Sequence, residues 1–330
     1  MLHPGAIKKL FISARLLLFC ILPCSSLFAA GSTKDTLDEA HFQLEDLLDD
    51  EGPQSTVIPF IKAGNLIIVK GRADTVEGNF ILDTGAPYLI LNLIYFRDYP
   101  VTVTGEVSNG IGSAGDPVQK TRLEAFRWGD FIYNKITADL VDLGHLENSK
   151  GMPILGLIGL SLLRHCEMII DYERSELHLR RIPKKEKEGF LSVALSEDDS
   201  YSQLPFDIIN KKIVAQVDLS GRNLKFVIDS GAETNILDSR LPNRVFEHVT
   251  VTGQLTIRGT GRNTVKALRG EIDKIRFGAH DLSNLPVVVA NLEESCFSVE
   301  GCANGVLGLH FMPLRKIGFN FVTRKMYLWK

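Results

Sequence analysis

From Thr56 to the end of the chain, short apolar runs alternate with glycine and turn residues. That texture predicts strands rather than helices, because each run is too short for a helix and is bounded by residues that break regular structure. Strands are expected over 61–70, 80–82, 101–104 and 136–143. Residues 151–163 are apolar and glycine-rich, which reads as a buried loop leading into one helical turn. Residues 168–179 read as a strand, a turn at 173–175 and a return strand. The pattern breaks at 180–203, where Arg180, Arg181, Lys184, Lys185, Glu186, Lys187 and Glu188 form a mixed charge run of the kind found in solvated linkers. Upstream of the β region, Leu37, Ala40, Leu44 and Leu48 fall on one helical stripe behind a capping box at Thr36–Glu39, and Gly52-Pro53 ends it.

After the linker the pattern starts again. Pro59-Phe60 matches Pro205-Phe206 and Ile90-Leu91-Asn92 matches Ile236-Leu237-Asp238, both at an offset of 146. Val103-Thr104-Gly105 matches Val251-Thr252-Gly253 at 148. Gly110 and Gly112 match Gly259 and Gly261, and Gly129 matches Gly278, at 149. Self-similarity that drifts by three residues over the whole span predicts a tandem duplication of a unit about 125 residues long. The organisation expected is a signal segment at 1–30, an acidic leader at 31–56, a first lobe at 57–182, a linker at 183–203 and a second lobe at 204–330.

Composition narrows the class. A 330-residue chain with 45% apolar and 23% charged residues is globular and long enough for two domains, and a formal charge of −3 argues against a nucleic-acid surface. Lys8, Lys9 and Arg15 precede an apolar run at 16–22, with Ala29, Ala30 and Gly31 behind it, the layout of a cleaved secretory signal. Pro23 and Ser25-Ser26 leave that run too short for a comfortable span, so no stable membrane span is expected once the signal is removed. The expected destination is the periplasm or the medium. Lipid attachment at Cys24 is the lesser alternative, since Leu22-Pro23 is a poor lead-in for it. Outside the signal stand Cys166, Cys296 and Cys302; the last two are close enough to close a small disulfide loop in an oxidising compartment, and all three remaining reduced is the other reading.

The chemistry lies in a stretch that occurs twice. Phe80-Ile81-Leu82-Asp83-Thr84-Gly85-Ala86 returns as Phe226-Val227-Ile228-Asp229-Ser230-Gly231-Ala232. Each puts an acid at the end of a short apolar run, where burial is costly unless something hydrogen-bonds the carboxylate or chemistry needs it. About 75 residues further on, each copy carries an apolar pair and a glycine, Leu157-Ile158-Gly159 and Val306-Leu307-Gly308. Two such pairs of motifs in register resemble the aspartic proteases of the pepsin and retropepsin group, over residues 57–330, in a tandem single-chain retropepsin-like form. The resemblance implies an all-β fold of two similar retropepsin-like β-barrel lobes related by a pseudo-two-fold axis, with the active site between them. It also implies a monomeric endopeptidase in which Asp83 and Asp229 activate a water against a peptide or protein substrate, with no cofactor.

Further expectations follow from the resemblance. Thr84 and Ser230 would bond across the axis, Gly85 and Gly231 would let backbone N–H groups approach the carboxylates, and Gly159 and Gly308 would let the Ile158 and Leu307 loops pack behind. Ala86 and Ala232 stand where pepsin-like members carry a hydroxyl donor, which should leave the dyad pKa values higher and the optimum mildly acidic to neutral. Glycine-rich stretches at 105–115 and 253–261, holding Gly110, Gly112, Gly259 and Gly261, would be two flaps. Gly110–Gly115 also fits a dinucleotide fingerprint, but Asp116-Pro117 does not open the helix that motif requires. No histidine or cysteine spacing suggests a metal. A non-catalytic peptide-binding module on the same scaffold is the alternative function.

Overall fold

The structure, a computed structural model, describes residues 16–17, 52–107, 117–183, 201–258, 264–293, 296–298, 301–308 and 316–329. The expected signal apart from Leu16–Leu17, the leader up to residue 51, the interior of the linker and the four flap glycines lie outside the described residues. Among the described residues no helix is long and apolar enough to cross a membrane.

In the first half of the chain the strands are β1 (Ser55–Ala63), β2 (Leu66–Ala73), β3 (Val76–Leu82), β4 (Ile90–Asn92), β5 (Thr102–Val107) and β6 (Pro117–Arg122). They continue as β7 (Ala125–Trp128), β8 (Phe131–Asn134), β9 (Thr137–Val141), helix α1 (Gly144–Lys150), β10 (Gly156–Ile158), β11 (Cys166–Asp171) and β12 (Glu176–Arg181). The second half holds β13 (Tyr201–Pro205), β14 (Asp207–Ile209), β15 (Lys212–Leu219), β16 (Arg222–Asp229) and β17 (Asn235–Asp238). After the single turn of α2 (Asn243–Phe246) come β18 (Val249–Arg258), β19 (Thr264–Phe277), β20 (His280–Ala290), β21 (Cys296–Ser298), β22 (Gly301–Cys302), β23 (Gly305–Gly308), β24 (Lys316–Asn320) and β25 (Lys325–Trp329).

The molecule is all-β, built as two β-barrel lobes. The pairings that place the site recur in both. In the first lobe β10 runs parallel to β3, with Gly156 opposite Phe80 and Ile158 opposite Leu82, and antiparallel to β4. In the second, β23 runs parallel to β16, with Gly305 opposite Phe226 and Gly308 opposite Asp229, and antiparallel to β17. Each apolar-glycine motif is thus the strand beside an acid-bearing strand. Their neighbours explain the first glycines of these strands: a Cβ at Gly156 would strike the Ile90 carbonyl and the Phe80 ring, and one at Gly305 the Phe226 ring and the Ile236 carbonyl.

Three strands from each half join in one sheet, in the order β13, β25, β24, β11, β12, β1. The seam between halves is β11 against β24, with Ile169 opposite Gly318. On one face Met168, Ile170, Leu177, Leu179, Ile317, Phe319, Met326 and Leu328 enter the main core, which also takes in both lobes. Strand β1 serves two sheets: its first half pairs with β12 and its second with β2.

Two local expectations need correction, and a helix lies where none was expected. The stretch 61–70 is not one strand; the chain turns at Gly64-Asn65, and Gly64 takes φ +64°, a left-handed value glycine adopts without penalty. The strand expected at 136–143 stops at Val141. Residues 144–150 then form α1, closed by Gly151 at φ +66°, and nothing in the hydrophobic pattern marks that helix because only Leu146 of it is buried.

Candidate active site

Both acids sit where their strands run out. Phe80, Ile81 and Leu82 are buried in the first lobe, and Phe226, Val227 and Ile228 in the second, so the chain delivers Asp83 and Asp229 to the interface with 0% of either exposed. The parallel neighbour holds the first loop from behind, Asp83 N–H donating to Ile158 O at 3.0 Å. Gly159 continues that support. A Cβ there would collide with the carbonyls of Tyr88 and Ala86, which allows Leu160 N–H to reach Ala86 O at 2.8 Å. In the second lobe Gly308 N–H donates to Asn235 Oδ1 at 3.1 Å.

The two loops are tied to each other by reciprocal bonds. Thr84 N–H donates to Ser230 Oγ at 2.9 Å and Ser230 N–H to Thr84 Oγ1 at 2.9 Å. Each hydroxyl then donates onward into the opposite lobe, Thr84 to Ile228 O at 3.1 Å and Ser230 to Leu82 O at 2.8 Å. All four bonds are buried, so breaking them would strand donors without water. They hold the acids face to face. The glycines record how close the approach is: a Cβ on Gly85 would overlap the Asp229 carboxylate, and one on Gly231 the Asp83 carboxylate.

Hydrogen bonding differs between the two acids. Asp83 Oδ1 accepts two backbone N–H groups, from Gly85 at 2.9 Å and Ala86 at 3.0 Å. Asp229 Oδ1 accepts one, from Gly231 at 2.8 Å, while Ala232 N–H turns to the Asp229 backbone carbonyl. The other oxygens, both Oδ2, are buried without a protein donor, so one carboxyl must carry a proton to bond the other. Burial pushes the Asp83 pKa up, and its bond from Asp229, the Ala86 and Gly85 N–H groups and the Lys212 charge pull it part of the way back. Burial, and then the Asp83 charge, drive Asp229 well above the usual carboxylate range, with the Gly231 N–H and Lys212 opposing. Both pKa values are raised and the two carboxyls titrate as one coupled pair sharing a proton.

Three features of the surroundings escaped the motif reading. Lys212, 1% exposed, is a cation whose field reaches both acids. At an offset of 146 the first lobe has Leu66, so a lysine where the other copy is aliphatic was the signal available. Each lobe also sends a hairpin tip across to the loop behind the opposite acid. Asn65 Nδ2 donates to Glu233 O at 3.0 Å, and Lys211 Nζ donates to Tyr88 Oη at 2.5 Å. Beside the first contact, Lys150 pairs with Glu233 at 2.5 Å, with 7% and 16% of the two side chains exposed.

Other expected residues stand apart. Cys296 and Cys302 are directly opposite each other in the β21–β22 ladder, while their side chains lie outside the described residues. Cys166 is a buried free thiol. The hairpins that would carry the flaps are β5–β6 and β18–β19, and their tips lie outside the described residues. A cavity of about 450 Å³ against the second hairpin is lined by Ser239, Leu255, Lys266, Val289 and neighbours, none of them in the acid loops. Among the described residues no group of three His, Cys, Asp or Glu could hold a metal ion.

Residues 215–311, which include Asp229 and Gly308, match the family model described as aspartyl protease. The match supports an aspartyl protease family, and with it a protease function. No curated protein matches the chain. Among solved structures, the chain is similar to conglutin gamma, described as a unique basic 7S globulin from lupine seeds. That likeness covers 84% of this chain and 95% of the other at 11% identity and a TM-score of 0.46, too loose to add to what the strands already establish.

Proposed function

We propose that this chain is an exported aspartic endopeptidase, working as a monomer with one acid from each lobe. The observation that carries the reading is the pair of fully buried carboxyls held face to face, each so close to the opposite loop that only glycine fits at Gly85 and Gly231. In such a dyad Asp83, held ionised by its two N–H donors, takes a proton from a water bound between the acids as that water attacks the scissile carbonyl. Asp229 gives its proton to the carbonyl oxygen, and the proton gained by Asp83 then passes to the leaving nitrogen. As the C–N bond of the tetrahedral intermediate breaks, one of its hydroxyls returns a proton to Asp229, and the dyad again holds one proton. The lobe-joining sheet and reciprocal loop bonds within one chain support the monomer. The basic, apolar and small-residue order at 8–31 supports export.

The test is to purify the chain without its first 30 residues, offer a peptide library from pH 3 to 8 and compare Asp83→Asn. Cleavage by the wild type, abolished in the variant, is the expected result. A folded wild type that cleaves nothing across that range, while still binding the peptides, would move the reading to a peptide-binding module.

A further inference from the structure

The sheet that joins the two halves has two faces, and the main core fills one of them. On the other face the pairing registers set the side chains in rows. Trp329 stands between Tyr201 and Lys316 in one row, and the next runs Tyr327, Gly318, Ile169, His178, Val57. A Cβ at Gly318 would meet the Tyr327 and Trp329 rings and Ile169, so the glycine lets those side chains close over its strand. Tyr201 packs edge-on against Tyr327 and tilted against Trp329.

Exposure across this face is uneven. Tyr327 and Ile169 are 4% and 6% exposed and Trp329 is 1% exposed, whereas Val57, at the β1 edge, is 52% exposed. An antiparallel sheet with one face in water leaves the side chains of that face wet. These three are shielded, so a further layer lies over the β13 side of the face and stops short of β1. Among the described residues, their hydrophobic cluster holds only the three themselves with Tyr201 against them.

The course of the chain identifies the layer. Each step from β12 through β11, β24 and β25 to β13 is antiparallel, so β12 and β13 run in the same direction. A connection between such strands must cross the sheet from end to end. The core occupies the inner face, which leaves the outer one. The diagonal from Arg181 to Tyr201 is about 25 Å, at about 4.8 Å between strands and about 3.3 Å per residue, and its midpoint falls near Gly318. The segment that makes this crossing, 184–200, lies outside the described residues and carries Phe190-Leu191-Ser192-Val193-Ala194-Leu195 behind its charge run. Two other segments fit less well. The leader enters at β1, where Val57 is bare. Residues 309–315 repeat 160–166 at the offset of 149, and Leu160, Leu162 and Leu163 there enter the main core.

We propose that Phe190–Leu195 lies across the outer face of the shared sheet, over Ile169, Tyr327 and Trp329. The segment that joins the lobes thereby also clamps them, since it rests on β11 from one half and on β24 and β25 from the other. The inference is independent of the peptidase reading, and its test does not use activity.

Trp128 and Trp329 are the two tryptophans of the chain, so in a Trp128→Phe background fluorescence reports Trp329 alone. Phe190→Ser, and Leu191→Ser, Val193→Ser and Leu195→Ser combined, should each shift its emission to the red and raise acrylamide quenching several-fold, with the circular dichroism of the parent. A photoreactive benzoylphenylalanine in place of Phe190 keeps the test open where those variants do not fold; its cross-link should map to peptides from 166–171 or 316–329. Folded variants that leave Trp329 as shielded as before, or a cross-link that maps elsewhere, overturn the proposal. So does shielding that is lost on removing residues 31–51, which assigns the layer to the leader, or lost on dilution, which assigns it to a second copy.

Discussion

At the scale of single residues, one backbone N–H separates the roles of two otherwise matched acids. Asp83 has a second donor in Ala86, and Asp229 does not, so the ionised form is the better held at Asp83. Activity that needs Asp83 ionised and Asp229 protonated should lie between two raised pKa values, at mildly acidic to neutral pH. A pH–rate profile peaking below about pH 3, near the lower pKa of pepsin's dyad, would contradict this. Stability follows by linkage. A carboxyl whose folded pKa is raised binds its proton more tightly when native, so the stability it contributes is present below the unfolded pKa near 3.8 and is lost as pH rises towards the folded value. Asp229→Asn should therefore melt higher than wild type at pH 7, with the difference shrinking towards pH 4, as thermal denaturation would reveal. Cys166 makes a simpler case: burial raises its thiol to about 12, so it should react with a thiol reagent only at the rate of unfolding.

At the scale of elements, turns and loop glycines decide the geometry that strands only approximate. Gly85→Ala and Gly231→Ala each add a methyl where the opposite carboxylate lies. Overpacking of that kind costs about 1–3 kcal/mol, and the displacement of the acid should reduce kcat by roughly a hundredfold or more. Denaturant titration and kinetics on the same preparations would separate the two effects. The link between α1 and the second lobe is equally specific. Lys150→Met leaves Glu233 mostly buried without its ion-pair partner, which should cost about 3 kcal/mol in urea unfolding, whereas an exposed pair such as Arg72–Glu77 should cost under about 1 kcal/mol.

At the scale of the whole molecule, the shared sheet makes each half depend on the other. Strand β11 has β24 as its neighbour, and the core face of that sheet continues into both lobes. A fragment ending at residue 183 would leave an unpaired strand edge and the inner face of half a sheet in water. It should bind a hydrophobic dye and lack a cooperative melting transition, where the full chain has one; circular dichroism and dye fluorescence would check this.

How much was legible in advance differs by feature. The β character and the two acid loops could be read from residues such as Phe80 to Asp83 and Phe226 to Asp229, because a strand and its end are local. The apolar-glycine strands were legible as motifs too, since Leu157-Ile158-Gly159 and Val306-Leu307-Gly308 recur at one offset. Helix α1, the turn at Gly64-Asn65 and the Lys211 bond to Tyr88 were not. An ordinary lysine at 211 or 212 reads as surface charge until the other lobe is brought against it.

The sequence by itself therefore determined which residues turn, which strands end in an acid and where a small hydroxyl or a glycine is required, since those depend on sterics and periodicity within a few positions. Only the tertiary structure decided that the two acids titrate together, because Asp83 and Asp229 come from different lobes and are buried against each other. It alone also decided that Lys211 bonds Tyr88, because the two come from opposite lobes and meet only when those lobes close on each other.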